Sequence, residues 1–375
     1  MKFIVNTSQL LDRLQTVMGT IITKPILPIL DHFLFDINDG KLTITSTDLE
    51  TSMSTSLEVE ADENIKIAVP SRMTMDTLKS MPAQPVMFNI DEGSNTIEMR
   101  SEMGRYKLIG QPGSDFPRIP EVESEQSIDM SQGVLLSSIS KTIFATGNDE
   151  LRLNLTGVYF ELHDDHTTLV ATDANRLVRC TRNDIKAGVE HSFILPKKAL
   201  NLLKSSLGST DEPVRMDYNA SNAFFTYGDI QLICRIIDEK YPDYNAVIPD
   251  DNPNRLTIRR DDLLNSVKRI NIFANKSTHQ IRLKISGSEM TISAEDIDLS
   301  NEANEKLSCE YTGEDIEIGF NARLLIEMLN GMDTDDIELR MSSPNRAGII
   351  VPAENDSDED LLMLIMPMML NQASS

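Results

Sequence analysis

The segment Thr167–Asp173, TTLVATD, alternates apolar and polar side chains and ends on a threonine–aspartate pair. Two other segments share its pattern, Leu42–Asp48 (LTITSTD) and Met290–Asp296 (MTISAED). Such alternation predicts strands with one buried face. The three segments begin 125 and 123 residues apart in a chain of 375 residues. The sequence therefore predicts one structural unit repeated three times.

A turn precedes each of these strands. The three turns are Asn38-Asp39-Gly40, His163-Asp164-Asp165-His166 and Ser286-Gly287-Ser288. Glycine and aspartate tolerate the backbone of tight turns, so three hairpins are predicted. The histidines and aspartates of the second turn also suggest a metal cluster, but alignment with the other two turns favours a solvated turn.

Two amphipathic helices are predicted in each unit, because apolar residues recur there at helical spacing. The six segments are 7–22, 69–83, 131–146, 196–208, 259–276 and 320–332. Phe116-Pro117 and Tyr241-Pro242, 125 residues apart, mark the ends of two units. We expect an α+β fold of three units, 1–122, 128–250 and 254–375, each with two helices on antiparallel sheet. Linkers are expected at Glu121–Gln126 and Asp250–Asn254.

Composition indicates an ordinary globular protein, with 40% hydrophobic and 25% charged residues. No apolar run is long enough for a membrane helix, and the N-terminus lacks the pattern of a signal peptide. The three cysteines, Cys180, Cys234 and Cys309, form no CxxC pair. These features predict a cytoplasmic protein in a reducing compartment.

Charge is distributed unevenly between the predicted helices and the rest of the chain. The net charge is −24, yet the six helical segments together carry +8, which leaves −32 elsewhere. Lysine is a good helix former, so a single basic helix is weak evidence for contact with a polyanion. Summed over the six helices, however, the charge is opposite in sign to that of the rest of the chain. This favours helices that face a polyanion, with acidic residues on the other surfaces.

Five motifs give the sequence a family resemblance over its whole length. They are Met1-Lys2-Phe3, Pro25-Ile26-Leu27-Pro28-Ile29-Leu30, Ala171-Thr172-Asp173 with Arg176-Leu177, Tyr241-Pro242-Asp243-Tyr244, and Met366-Pro367-Met368. In this order and spacing, the chain resembles the bacterial DNA sliding clamp family, the beta subunit of DNA polymerase III. The resemblance implies a head-to-tail homodimer whose six units close into a ring around duplex DNA, lined by helices.

The resemblance also implies function and partners. Members of the family are non-catalytic processivity factors without cofactors. They slide on DNA without sequence specificity and bind the clamp loader, replicative and other polymerases, ligase and mismatch-repair proteins. An apolar pocket between the second and third units captures their peptides, and apolar walls suit such capture. The matching residues here are Leu155, Thr172, Arg176, Leu177, Pro242, Val247, Pro344, Arg346, Met366, Pro367, Met368 and Leu370.

Several positions depart from the family pattern. Ala174 and Asn175 replace the more familiar glycine and histidine, and Thr278 stands where phenylalanine is frequent. These changes are expected to reshape the pocket wall. The chain also continues beyond Leu370 as Asn371–Ser375, a polar tail beside the expected pocket.

The remaining expected contacts concern DNA and the dimer. Two loop residues follow from the resemblance, Lys24 and Arg152. Helical residues follow from the charge count, namely Arg72, Lys79, Lys141, Lys197, Lys198, Lys204, Arg259, Arg260, Lys268 and Arg269. The dimer seam is expected between Arg105, Tyr106 and Lys107 on one side and Ile272, Phe273, Glu302 and Glu305 on the other.

Other functional classes are less well supported. The acidic run Glu354–Asp360 lacks the glycine and closing glutamate of a calcium loop. No phosphate-binding loop, nucleophile elbow or HExxH motif occurs, and Thr172-Asp173 recurs as Thr47-Asp48, which favours a structural role. The alternative to a clamp is an acidic peptide-binding scaffold that does not encircle DNA. A hydrolase with a dispersed site is a third possibility.

Overall fold

The computed structural model describes residues 1–122, 126–354 and 356–370. Six α-helices occur in these residues, one in each segment predicted from sequence. They are α1 (Thr7–Val17), α2 (Ser71–Lys79), α3 (Gln132–Thr142), α4 (Lys197–Ser206), α5 (Arg260–Asn271) and α6 (Ala322–Asn330). None of the helices in the described residues is long and apolar enough to cross a membrane.

The strands of the first third of the chain are β1 (Lys2–Asn6), β2 (His32–Asn38), β3 (Lys41–Thr47), β4 (Thr51–Glu58), β5 (Glu60–Ala61), β6 (Ile65–Pro70), β7 (Pro85–Asp91), β8 (Thr96–Arg100), β9 (Arg105–Ile109) and β10 (Gln111–Pro112). Those of the middle third are β11 (Gln126–Ser131), β12 (Gly157–Leu162), β13 (Thr167–Thr172), β14 (Arg176–Arg182), β15 (His191–Pro196), β16 (Pro213–Tyr218), β17 (Asn222–Tyr227) and β18 (Ile230–Arg235). The last are β19 (Asn254–Arg259), β20 (Gln280–Ser286), β21 (Glu289–Asp296), β22 (Asn301–Ser308), β23 (Glu310–Thr312), β24 (Ile316–Asn321), β25 (Asp336–Met341), β26 (Gly348–Pro352) and β27 (Glu359–Ile365).

Apart from the short strands β5, β10 and β23, one order of elements recurs three times. It is one strand, a helix, four strands, a second helix and three strands. The prediction of a tripled α+β unit is therefore confirmed. The expected linkers are shorter than predicted, because Gln126 begins β11 and Asn254 begins β19.

The chain divides into two compact bodies. The first contains residues 1–136 and 198–236, and the second contains residues 137–197 and 237–375. The middle repeat contributes to both bodies, because each contains a nine-stranded sheet built from two consecutive repeats. The first sheet has the order β10-β6-β2-β3-β4-β18-β17-β16-β11, and the second has the order β15-β12-β13-β14-β27-β26-β25-β19-β23.

We call the antiparallel pairing of β4 with β18 the first junction and that of β14 with β27 the second junction. The smaller sheets are β5-β1-β7-β8-β9 in the first body and β22-β21-β20-β24 in the second. Strand β9 ends the five-stranded sheet and β22 ends the four-stranded sheet. Both bodies therefore present an edge strand with an unpaired backbone on one side.

Local sequence explains where helices begin. The side chain of Asn6 accepts a hydrogen bond from the Ser8 amide at 2.9 Å and caps α1. Asn321 caps α6 by accepting from the Arg323 amide at 2.9 Å. Such caps satisfy amides that have no partner within the helix. Helix α5 carries Asp261 and Asp262 in its first turn, where carboxylates complement the helix dipole.

The apolar faces of the helices pack on both sheets of each body. Helix α1 contacts β1, β3 and β4, whereas α5 contacts β19 to β22 and also α6. Leu10, Leu14 and Val17 of α1 are fully buried. At about 25 cal/mol per Å² of apolar area, this burial is the main stabilising contribution to each body.

The predicted hairpin turns are confirmed. Asp39 and Gly40 have φ of 49° and 79°, a backbone that glycine adopts without strain and aspartate tolerates. In the second turn, the rings of His163 and His166 stack with centroids 4.3 Å apart. Among the described residues, no group of three His, Cys, Asp or Glu side chains is arranged to hold a metal ion. In the acidic run, Asn355 lies outside the described residues and Glu359 begins β27.

Candidate functional site: pocket, basic helices and edge strands

The turn between β13 and β14 is closed by its own side chains. The Thr172 hydroxyl donates to the Arg176 carbonyl at 2.6 Å and accepts from the Ala174 amide at 3.1 Å. Asp173 accepts from the amides of Asn175 and Arg176 at 2.9 and 3.1 Å. These bonds give the Thr-Asp pair a structural role and fix the position of Arg176.

The corresponding turn of the first repeat has the same construction. Asp48 accepts from the amides of Glu50 and Thr51 at 3.0 and 2.6 Å, and Thr47 accepts from the Leu49 amide at 3.0 Å. Ala174 and Leu49 hold equivalent positions with φ of 77° and 81°. A side chain in this left-handed region costs about 1 kcal/mol relative to glycine, which explains why glycine suits position 174.

Arg176, one of the predicted pocket residues, is buried. Its guanidinium donates to Glu327 at 2.7 Å, to the Phe144 carbonyl at 2.6 Å and to Asp173 at 3.1 Å. It also lies 5.2 Å from the centroid of the Phe144 ring. Arg176 therefore positions the pocket wall by joining α6, the turn after α3 and the start of β14.

The apolar wall is part of one hydrophobic cluster. Leu155 and Leu177 pack there with Tyr241, Tyr244 and Ala347. Burial raises the pKa of the Tyr241 hydroxyl, which lies in the interior of this cluster. Both tyrosines lie in a family motif of the sequence, but neither is among the predicted pocket residues.

Other predicted pocket residues surround this cluster and are exposed. Pro242, Val247, Pro344 and Arg346 all belong to this group, with Val247 55% exposed. Pro344 and Arg346 lie in the turn that leads to the clustered Ala347. Pro242, Val247 and Pro344 are exposed apolar side chains next to this buried cluster, and such surfaces suit the binding of short peptides.

The last described residues continue this surface. The amide of Met366 donates to the Asn175 carbonyl at 2.9 Å, and that of Met368 donates to Gly319 at 2.8 Å. Met366 is 42% exposed, and Pro367 and Leu370 are partly buried. Strand β27 ends at Ile365, so the segment MPMML is not simply the last strand of the sheet. The polar tail Asn371–Ser375 lies outside the described residues.

Gly319 has a specific reason to be glycine. A Cβ atom there would lie 2.7 Å from both the Leu370 side chain and the Met368 carbonyl. Leu370 and Thr278 also line a cavity of about 570 Å³ beside β20, β21 and β22. Thr278, which replaces an expected phenylalanine, therefore leaves open space next to the end of the described chain.

The predicted DNA-binding residues fall into two groups. Exposed side chains belong to Lys24, Arg72, Lys79, Arg152, Lys198, Lys204, Arg259, Lys268 and Arg269. Lys197 is partly buried and donates to Asn148 at 3.1 Å. Several exposed cations also have carboxylate partners: Arg152 pairs with Asp149 at 3.0 Å, and Lys198 pairs with Asp48.

Two predicted DNA contacts need correction. Lys141 is buried and bonded to Glu359 at 2.6 Å, so it is not available to a ligand. Arg260 is largely buried, and its guanidinium donates to the Met332 carbonyl and to Asp261. Arg269 is exposed and pairs with Glu305 at 2.6 Å, as Arg152 does with Asp149. The charges of these residues can be read from the sequence, but their intramolecular partners cannot.

The predicted dimer residues lie on the two edge strands and at the end of α5. Tyr106 is 38% exposed on β9, and Ile272 and Phe273 are 64% and 40% exposed. Glu302 is exposed on β22. Glu305 pairs with Arg269, and this hydrogen bond lowers the pKa of the Glu305 carboxyl. On β9, Arg105 donates to Glu98 at 2.6 Å. Basic groups thus predominate on β9 and acidic groups on β22.

Comparison with known proteins accounts for this architecture. Families described as the N-terminal, central and C-terminal domains of the DNA polymerase III beta subunit match residues 1–120, 129–243 and 245–369. The chain belongs to the DNA polymerase III beta subunit family. The beta sliding clamp of Vibrio cholerae is 31% identical, over 99% of this chain and all of that protein. That of Escherichia coli K12 is 29% identical with the same coverage.

Solved structures of sliding clamps have the same fold. The DNA polymerase sliding clamp of Pseudomonas aeruginosa superimposes with a TM-score of 0.93 at 29% identity, over 99% of this chain and all of that one. Another structure of the Pseudomonas aeruginosa clamp has griselimycin bound. The Thermotoga maritima beta subunit gives a TM-score of 0.90 at 26% identity with the same coverage. As a member of this family, the chain is a sliding clamp, a non-catalytic processivity subunit of DNA replication.

Proposed function

We propose that two copies of this chain pair head to tail and close into a ring that encircles duplex DNA. The observation that carries the proposal is a pairing rule between consecutive repeats. At both junctions, the last strand of one repeat pairs with the fourth strand of the repeat before it, counted without β5, β10 and β23. The rule leaves β9 and β22 as edges, and each can complete the other only in a second copy.

The same rule predicts the register of this third junction. To align the last strands of the three repeats, we start at Asn6, Ser131 and Arg259, each the residue before the first helix of its repeat. From there we follow the paired residues from one strand to the next. The count makes Gly104 equivalent to Ile230 and Leu361.

A second count starts from Pro70, Pro196 and Asn321, which precede the second helix of each repeat. It makes Glu305 equivalent to Thr55 and Cys180. Ile230 pairs with Thr55, and Leu361 with Cys180, so Gly104 should pair with Glu305 of the partner subunit.

Charges support this register. It places Lys107 opposite Glu302 of the partner subunit, a match between a cation and a carboxylate. It also turns Tyr106 to the side of β22 on which α5 packs, where Ile272 and Phe273 of the partner subunit are exposed. Apolar contact would then contribute affinity, and the charged pair would fix register.

The exposed basic residues of the helices and loops support contact with DNA. We propose that Lys24, Arg72, Lys79, Arg152, Lys197, Lys198, Lys204, Arg259, Lys268 and Arg269 face the phosphate backbone. Such contacts carry no base information, so sliding without sequence preference is expected. Acidic side chains dominate the remaining surface and oppose DNA binding elsewhere.

The apolar surface of the second body supports a docking site for partners. We propose that it binds short peptides of the clamp loader, polymerases, ligase and mismatch-repair proteins, with Met366, Pro367, Met368, Leu370, Pro242, Val247, Pro344 and Arg346 at its rim. Leu155, Leu177, Thr172 and Arg176 form its base. We further propose that 1–122, 128–250 and 254–375 are its three clamp domains and that it acts in the cytoplasm.

Retention on closed and cut DNA tests the ring. Loaded by its clamp loader onto nicked circular plasmid, the clamp should stay on the circle through gel filtration and leave within minutes of linearisation. Mass photometry should find dimers. Monomers at every concentration, or equal retention on both DNA forms, would contradict the ring and favour the peptide-binding scaffold.

A further inference from the structure

A second cavity lies in the first body, at the first junction. Its volume is about 330 Å³, at the lower end of the range for ligand pockets. The floor is formed by β3, β4 and β18, and the segment Ile119–Val122 forms one wall. The cavity is separate from the pocket, basic helices and edge strands of the proposed clamp function.

The cavity occupies the position that corresponds to the peptide-binding surface of the second body. The register pairs Ile233 with Ser52, whereas at the second junction Leu364 pairs with Leu177. The wall segment is equivalent to the stretch that ends at Val247, 125 residues further along the chain. The side chains at the first junction are smaller and more polar, so they leave open the space that leucines and tyrosines fill in the second body.

Polar groups in the cavity lack partners. Thr45 is only 7% exposed, and its side chain lines the cavity. Ser52 bonds to Thr47 at 2.8 Å. Within the described part of the chain, the side chains of Thr43, Thr45, Ser54 and Gln231 make no hydrogen bond. Thr45 is buried, whereas Thr43, Ser54 and Gln231 are partly exposed, so the polar groups of these three side chains are open to water or a ligand in the cavity.

Charge limits what the cavity can accept. In the described residues, its single charged lining group is the carboxylate of Glu121, which is 3.9 Å from Arg118. No cation lines it, whereas the second junction has Arg179 where the first has Ser54. An acidic ligand would meet the like charge of Glu121 here, and the nearby cation, Arg118, already pairs with that carboxylate.

We propose that this cavity is a second docking site, which binds a neutral peptide segment through one branched aliphatic side chain. Ile119, Val122 and Ile233 contact that side chain. The hydroxyls of Thr43, Thr45 and Ser54 and the amide of Gln231 bond to the peptide backbone. The site selects against acidic segments, so the two junctions of one clamp distinguish partners by charge.

Methyl NMR of the full-length chain labelled at isoleucine tests the proposal. The probes are acetyl-Asn-Ile-Ser-amide and its acidic counterpart, acetyl-Asp-Ile-Ser-amide. The neutral peptide should shift the signals of Ile119 and Ile233 in a saturable manner. The acidic peptide should bind about fivefold more weakly, as expected for one exposed charge.

Two variants show whether the peptide binds in this cavity. Ser52→Leu introduces the residue of the second junction, fills the cavity and should weaken neutral-peptide binding at least tenfold. Ser56→Leu changes the same residue type four positions along β4, outside the cavity lining, and should bind as the unchanged chain does. Circular dichroism checks that both variants fold.

Some results would overturn the proposal. They are equal binding of both peptides, unchanged binding by Ser52→Leu, or no saturable shift of Ile119 and Ile233. None of these bears on the ring, which DNA retention tests separately.

Discussion

The two junctions share one backbone and differ in their side chains. At the first, Ile233 faces Ser52 and Gln231 faces Ser54, whereas the equivalent pairs at the second are Leu364 with Leu177 and Leu362 with Arg179. The first junction contains a hydroxyl-lined cavity and the second a packed apolar cluster. Strand pairing therefore determines the shared backbone of the two junctions, while the side chains determine which ligands each surface can accept.

The proposed third junction extends this comparison. There the equivalent pair is Lys107 with Glu302 of the partner subunit. An ion pair in place of leucines should stabilise this junction less than the leucines stabilise the second, because exposed charged pairs add little stability.

The largest effect is expected from Leu177→Ser, which gives the second junction the residue of the first. Leu177 is 2% exposed, so the variant leaves a cavity and a buried hydroxyl. Unfolding free energy should fall by about 4 kcal/mol, measured by urea denaturation. The matched change Ser52→Leu at the first junction should cost under about 1 kcal/mol. Similar losses in both variants would show that the junctions do not differ in packing.

The third junction can be broken and restored by charge. Lys107→Glu or Glu302→Lys should each weaken the dimer about tenfold, because like charges then face each other. The double variant should recover dimer affinity to within about threefold of the unchanged chain. Analytical ultracentrifugation measures all three. Failure of the double variant to recover affinity would contradict the register derived from the first two junctions.

A smaller effect is expected at the turn of the second junction. Ala174→Gly should stabilise the chain by about 1 kcal/mol, because φ of 77° is strained for alanine. Thermal unfolding measures the change. Ala187→Gly, in a loop where φ is not positive, is the control and should not stabilise. A destabilised Ala174→Gly variant would show that the left-handed backbone is absent.

The smallest effect concerns Cys180, which stands at the second junction where Thr55 stands at the first. Burial raises the pKa of its thiol to about 12, so the thiolate becomes abundant only near that pH. From pH 7 to 9, we expect no alkylation of native Cys180 by iodoacetamide, followed by mass spectrometry. Unfolding in urea should restore reactivity. Rapid labelling of the native chain would mean that the second junction opens.

Much of the architecture could be read from the sequence. The repeat of about 125 residues, the six helices and the hairpin turns all follow from local periodicity and turn chemistry. The Thr-Asp pair at 172 and 173 could also be found, because it recurs in the first repeat. These signals lie within short segments, so a single sequence reveals them.

Long-range contacts decided the rest. Only the folded chain shows that Lys141 is buried with Glu359 and that Arg176 bonds to Glu327, since 218 and 151 residues separate these partners. The cavity of the first body likewise depends on β18 lying beside β4. Sequence patterns specify which face of a strand is apolar, but not which distant strand will pair with it or what space their side chains leave.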